Sequence, residues 1–408
     1  MACVYLPIQG PPLVGTIGNT PVEDGDLTGH RTSPHSIRYF CNNCSAGMFL
    51  CENEEQSTRH GETADPNAEP IAPFAPGAKI KWYVTAGTLA YTQGIYETVS
   101  HAFVEETLDG GLADQIPAIG DRILPRFSGA PNESPLLPLP WRSSTLPSWK
   151  KANEAESINA YCHCRSIHFR ITRPNELSSV PHAPYPDLIF PADQTRLSTM
   201  SNVKDEKWWL PLGDGVGVGP PGTEWKHIRP KTRRDTISMN YGRPKPMRRE
   251  RTPAPRHYLA GHCVCAHCRL GSGFEVQSWA FISRANVFEY GSDEPIELAH
   301  ADSRPKGLKQ YMSSTGRYRE FCGKCGATAF WWHAGRPDVI DISMGLIDQE
   351  CDGARAEEWF KWHKQRVSFS ENSSINKMVV QGLVDGLAKY KAYTDDSDSR
   401  DDINVLPH

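Results

Sequence analysis

The chain has 408 residues, 38% of them apolar and 23% charged, with a net charge of −4. That length suits two or three domains with a buried core, and the near-balance of charge excludes bulk attraction to nucleic acid. No apolar run approaches the length of a membrane span, and the opening "MACVYLPIQGPPLVG" lacks the basic and apolar regions of a secretion signal. The expected setting is the cytoplasm. There, nine of the twelve cysteines fall in C-x-C and C-x-x-C spacings, which point to metal or redox chemistry, not to a disulfide framework.

In chain order, the first predicted element is a strand, "CVYLPI" at 3–8. "RYFCNNCSAGMF" at 38–49 follows, then a polar, Pro-rich loop over roughly 52–78, then a strand in "WYVTAGTL" at 82–89. Residues 121–155 are rich in Pro and Ser and read as a linker. "YCHCRSIHF" at 161–169 opens a β-rich region that runs over 156–370. Inside it, 215–256 is Gly/Pro-rich, basic and aperiodic. A disordered surface insert and translated non-coding sequence are comparable readings of that stretch. A nucleic-acid arm ranks well below them, because no aromatic interleaving or fold motif accompanies the charge. "GHCVCAHCRLGSG" at 261–273, "QSWAFI" at 277–282, "REFCGKCGATAF" at 319–330 and "VIDISMGLID" at 339–348 complete the region. Over 371–408 a helix is expected in "INKMVVQGLVDGLAKYKAY", with Val379, Val380, Leu383, Val384 and Leu387 on one face, and "TDDSDSRDD" as a disordered acidic tail.

Two of these pieces repeat. "RYFCNNCSAGMF" and "REFCGKCGATAF" both read R-x-F-C-x-x-C-x-A-x-x-F, each between a preceding strand and a later strand that ends in Gly. The order suggests two copies of one domain. The first, within 1–120, holds only the latter half of the pattern, which leaves Cys41 and Cys44 as half of a site.

The second copy groups seven cysteines. Cys162, Cys164, Cys322 and Cys325 form two chelating pairs, enough to close a tetrahedral zinc site with four thiolates. Such a site contributes on the order of 10 kcal/mol gross to folding. Cys263, Cys265 and Cys268 remain. Three protein ligands and an open fourth position mark a catalytic zinc, and a three-thiolate site is soft and favours an exogenous thiol over water. Two blander readings stay open: all seven cysteines are structural, or His262 or His267 supplies a fourth ligand to the triplet. Cys51 and Cys351 read as buried small residues, His163 and His267 as solvent-facing, and the pairs Trp208–Trp209 and Trp331–Trp332 as core and rim. Arg269 reads as solvated, with a hold on an anionic substrate as the sharper alternative. Ser272 and Gly273 are expected to make a turn that lets a substrate backbone approach.

The order C-x-C, then C-x-C-x-x-C-R-x-x-S-G, then a Trp-containing strand, then Y-x-S-S-x-x-x-x-R-x-F-C-x-x-C-G resembles the CENP-V/GFA domain, the family of glutathione-dependent formaldehyde-activating enzymes. The matching pieces are "CHCRSIHFRI", "GHCVCAHCRLGSGFEVQSWAFI", "YMSSTGRYREFCGKCGATAF" and "DISMGLID". The resemblance implies a mainly β, Mss4-like (β-tent) zinc fold in two copies, the first truncated, a double-domain fungal-type arrangement. It implies two zinc ions per complete domain: a structural one on Cys162, Cys164, Cys322 and Cys325, and a catalytic-type one on Cys263, Cys265 and Cys268. The implied activity is that of a carbon–sulfur lyase on a thiol adduct such as S-(hydroxymethyl)glutathione. The alternative is a catalytically silent zinc module that binds a partner. No membrane or nucleic-acid partner is expected. Arg165 departs from the family, which has Gly after C-x-C, and the insert separates "KWWLPLGDG" from "RHYLAGHC".

Overall fold

Runs rich in β-branched and aromatic residues favour strands, and most of the predicted strands form. The computed structural model describes residues 5–8, 16–17, 20–21, 26–53, 74, 78–191, 201–211, 256–372 and 376–392. The basic insert, apart from Arg256, and the acidic tail lie outside the described residues. The molecule is mainly β, with several sheets and few helices. Among the described residues no helix is long and apolar enough to cross a membrane.

The N-terminal sheet is built from β1 (Tyr5–Ile8), β2 (Leu27–Ser33), β3 (Ser36–Cys41), β4 (Gly47–Asn53) and β5 (Ile80–Thr85), in the order β1-β5-β4-β3-β2. Its small core is Ile37, Tyr39, Cys51 and Trp82. The C-terminal region begins with β6 (Ser157–Tyr161) and β7 (His168–Thr172), then β8 (Tyr258–Cys263), helix α1 (Ala266–Ser272), β9 (Gln277–Ser283) and β10 (Val287–Glu289). It continues with β11 (Leu308–Ser314), β12 (Arg317–Cys322), β13 (Thr328–His333), β14 (Val339–Ser343), β15 (Phe360–Trp362) and helix α2 (Lys377–Lys389). Seven of these strands make one sheet, β11-β12-β13-β14-β9-β8-β15, while β6, β7 and β10 form a smaller one. The inner strands β8 and β14 are buried along their whole length, the polar His262, Asp341 and Ser343 included. The edge strand β11, "LKQYMSS", is half-exposed and carries the polar residues that discourage edge pairing.

Five strands recur in the same order in both large sheets. β2-β3-β4-β5-β1 runs parallel in sequence logic to β11-β12-β13-β14-β9. Register shifts fall at matching places: Arg31/Ser33 and Met312/Ser314 in one hairpin, Tyr39/Phe40 and Glu320/Phe321 in the next.

Residues 121–155, expected as a linker, are part buried: much of 131–140 is exposed, while other side chains find cover. Leu124, Arg126, Phe127, Leu146 and Ala152 are buried, and Arg126 pairs with the buried carboxylate of Asp114. Proline holds this backbone extended, and these apolar side chains find cover. Ile116, Ile119 and Leu124 share one core with Val264, Phe274, Val276, Val367 and the buried face of α2. That face is Val379, Val380, Leu383 and Leu387, with Val384 half-buried at its margin, and Asn376 caps the helix by accepting from the Val379 N–H. The main core includes Trp208, Trp209, Phe330, Ile340 and Ile342.

Candidate metal centres

The first group of sulfurs forms where two hairpin turns meet. Cys162 and Cys164 sit in the β6–β7 turn, Cys322 and Cys325 in the β12–β13 turn. All four sulfurs lie within 4.8 Å of one another. Cys162–Cys164 and Cys164–Cys322 are each separated by 3.5 Å. A tetrahedral thiolate site with metal–sulfur bonds of about 2.3 Å has sulfur–sulfur edges of about 3.8 Å, so the donor set fits such an ion. Backbone N–H groups of Ile167, Lys324 and Cys325 point at Cys162 and Cys322 sulfurs, each at 3.4 Å, which favours thiolates. Arg165, which follows the C-x-C pair, has φ 57°. That left-handed backbone is where glycine is favoured, so the departure noted above falls on a turn that keeps its shape. The Arg165 guanidinium lies over the Tyr161 ring, 3.3 Å from its centre.

The second group is Cys263, at the end of β8, with Cys265 just before α1 and Cys268 inside it. These three sulfurs also lie within 4.8 Å of one another, and among the described residues no fourth donor joins them. The two histidine alternatives are answered by position. His262 is buried and held on both ring nitrogens, Nε2 2.9 Å from Gln115 Oε1 and Nδ1 3.0 Å from Ser278 Oγ. His267 is exposed.

Two N–H donors reach Cys268 Sγ: Trp279 Nε1 at 3.4 Å and Arg319 Nη2 at 3.5 Å. Arg319 is buried, and its Nε and Nη1 have no hydrogen-bond partner among the described residues. Burial alone would push this guanidinium down, but the Cys268 and Cys265 sulfurs beside it hold it protonated. Hydrogen bonds from Cys263 and Cys265, together with the Arg319 charge, hold Cys268 well below the ordinary thiol range. A buried cation beside three neutral thiols would be uncompensated, which is costly. Three thiolates around a divalent ion carry one net negative charge, which Arg319 balances. The sequence pointed to Arg319 only through its place in the repeated R-x-F-C. Cys265, Trp331 and Phe369 are the part-exposed members of the cluster.

A brace from the first part of the chain holds the triplet's loop from behind, and no motif announced it. Gly87 N–H donates to Gly273 O at 3.0 Å. A side chain at Gly87 would place its Cβ 2.4 Å from Gly273 and from the Arg269 carbonyl. Arg269 is not solvated: it is buried and donates to the Leu89 carbonyl. Glu275, fully buried, accepts from Thr92 Oγ1 at 3.2 Å and from the Tyr96 hydroxyl. The turn at Ser272–Gly273 does allow close backbone approach, but residues 86–89 of the same chain take that place. Trp208, Trp209, Trp332 and Cys51 are buried, Trp331 is half-buried and His163 is exposed, while Cys351, expected buried, is half-buried. His163 Nδ1 meets His30 Nε2 of the N-terminal sheet at 3.0 Å.

Residues 248–362 match the model of the glutathione-dependent formaldehyde-activating enzyme (GFA) family. No curated protein and no solved structure matches the chain. The GFA segment holds the triplet, Arg319, Cys322 and Cys325. It stops short of Cys162 and Cys164, of the N-terminal sheet and of the brace.

Proposed function

We propose that residues 156–370 form a zinc enzyme of the carbon–sulfur lyase type, acting on a thiol adduct such as S-(hydroxymethyl)glutathione. The observation that carries this reading is the buried three-sulfur group with a compensating Arg319 and no fourth protein donor among the described residues. Cys162, Cys164, Cys322 and Cys325 would hold a structural zinc. Cys263, Cys265 and Cys268 would hold a second ion, which supplies a soft centre that accepts a thiol. In the addition direction, a bond forms between the thiol sulfur and the aldehyde carbon, and the thiol proton ends on the aldehyde oxygen. In the lyase direction the same bond breaks. The chain's own part is to keep Cys268 anionic through Arg319 and Trp279, and to limit water with the half-exposed rings of Trp331 and Phe369. The family match supports a glutathione and formaldehyde theme for the segment.

The recurring strand order and matching register shifts support reading 1–120 as the latter half of a second GFA-like unit, with an Mss4-like fold in both. That half has no C-x-C and no triplet, so it should not turn over substrate. The silent-module alternative draws on one observation: the chain itself covers the Gly273 turn. An assay of the full chain with formaldehyde and glutathione separates the two readings. Turnover that disappears in Cys265→Ser supports the lyase. Two bound zinc ions without turnover supports the silent module.

A further inference from the structure

The metal reading leaves one pair of sulfurs unused. β3 ends at Cys41, and Cys44 follows in the turn before β4. In that turn Cys41 N–H donates to Ala46 O and Ser45 N–H to Cys41 O, both at 2.9 Å, with Ser45 at φ 63°. The β12–β13 turn repeats this pattern. Cys322 N–H donates to Ala327 O and Gly326 N–H to Cys322 O, both at 2.9 Å, with Gly326 at φ 73°. One backbone shape thus occurs in two settings. Beside Cys322 and Cys325 it meets two further sulfurs. Beside Cys41 and Cys44, no third cysteine, histidine or carboxylate among the described residues completes a group. The Cys41 and Cys44 thiols are free, half-exposed and three positions apart in one turn.

We propose that Cys41 and Cys44 are a redox-active dithiol, which closes to a disulfide by exchange with a small-molecule disulfide of the glutathione type. The thiolate of one cysteine attacks a sulfur of the incoming disulfide and expels one small thiol. The other cysteine then attacks the mixed disulfide and expels the second. The reagent's S–S bond breaks and one S–S bond forms in the protein. The two protons lost by the cysteines end on the two released thiols, so the protein is oxidised by two electrons and the reagent reduced by two. Because both cysteines lie in one tight turn, the second step is intramolecular and outruns loss of the mixed disulfide. The closure has a neighbour to act on. Phe40, next to Cys41, packs its ring against Gly326, where an added Cβ would sit 2.4 Å from the ring. The site stands whether or not the triplet is a lyase centre.

The test uses the full chain, purified reduced with its bound metal and equilibrated with mixtures of reduced and oxidised glutathione. Free thiols are then blocked with N-ethylmaleimide, and fragment ions locate the blocked positions by mass spectrometry. Cys41 and Cys44 should lose their blocking groups together and gain an internal disulfide. Cys51, fully buried in the same sheet, should remain a thiol, which shows that the sheet stays folded. In Cys44→Ser, Cys41 should instead carry a persistent glutathione. Three results would overturn the proposal: both thiols still blocked across the whole titration, stable glutathione on wild-type Cys41, or a metal ion lost when Cys41 and Cys44 are both changed to Ser. The wild-type measurement decides even if the variants fail to fold.

Discussion

Arg319 is the residue on which the charge of the triplet turns. It is buried, its hydrogen bond goes to Cys268, and two of its nitrogens are otherwise unpartnered among the described residues. Arg319→Met should therefore leave a net negative metal–thiolate group without its counter-charge. Removing one partner of a buried pair costs about 3 kcal/mol, or roughly a hundredfold in the affinity of the triplet for its ion. Competition with a chelator should show one weakened site and one unchanged, and Arg319→Lys should restore part of the loss. Equal affinity at both sites in the Met variant would remove Arg319 from the account. Of the site's residues, the seven cysteines were readable because chelation imposes short spacings. The contacts of Arg319 and Trp279 with Cys268 were not, since a sheet brings them to the sulfurs from separate strands.

At the scale of elements, α2 shows how packing overrides local preference. Its apolar face was legible from period alone. That it lies directly on the backbone of 115–118 was not, because Gly386 in a helix ordinarily signals weakness. An Ala at a glycine inside a helix usually stabilises by about 1 kcal/mol. Here a Cβ at Gly386 would sit 2.0 Å from the Gln115 carbonyl oxygen. Gly386→Ala should thus reverse the usual sign and destabilise by about 1–3 kcal/mol, read as a lower denaturant midpoint. A stabilised variant would mean that the helix is not seated on that backbone. The brace at 86–96 was hidden for a related reason. Its contacts use backbone groups and unremarkable side chains, and they join residues 179 to 186 positions apart, where no pattern in the chain can register them. The prolines of 121–155 misled in the opposite way: they mark extended backbone, which can be packed as well as free.

The molecule as a whole is less divisible than its repeat suggests. Ile116, Ile119 and Leu124 complete the core beneath α2, so a chain starting near residue 155 should expose that core and lose its cooperative melt. A chain starting near residue 78 should keep it. Equal melts from both would show that the early segment is dispensable. The pH dependence should also be global. Burial pushes His363 down to about 4, with the Arg366 charge adding to it. Its folded value lies below the unfolded value of about 6.5, so its stabilising contribution is complete above that pH and is lost as pH falls toward 4. Over that window the wild type should lose up to about 1.4 kcal/mol per pH unit more than His363→Gln, measured by denaturant melts at equal zinc. Parallel profiles would assign the acid sensitivity elsewhere. Other contacts reach as far along the chain as the brace does, and their spacing sets an order in time. Asp109 accepts from the Arg355 N–H across 246 positions, and Ser368 N–H closes on the His262 carbonyl. During synthesis, the early residues emerge well before the partners they secure, and closure of such distant contacts is slow. Ser368 is made after all seven site cysteines, so its contact with the end of β8 is among the last to close. The yield of folded chain should therefore depend on the metal ions and reduced thiols present during synthesis.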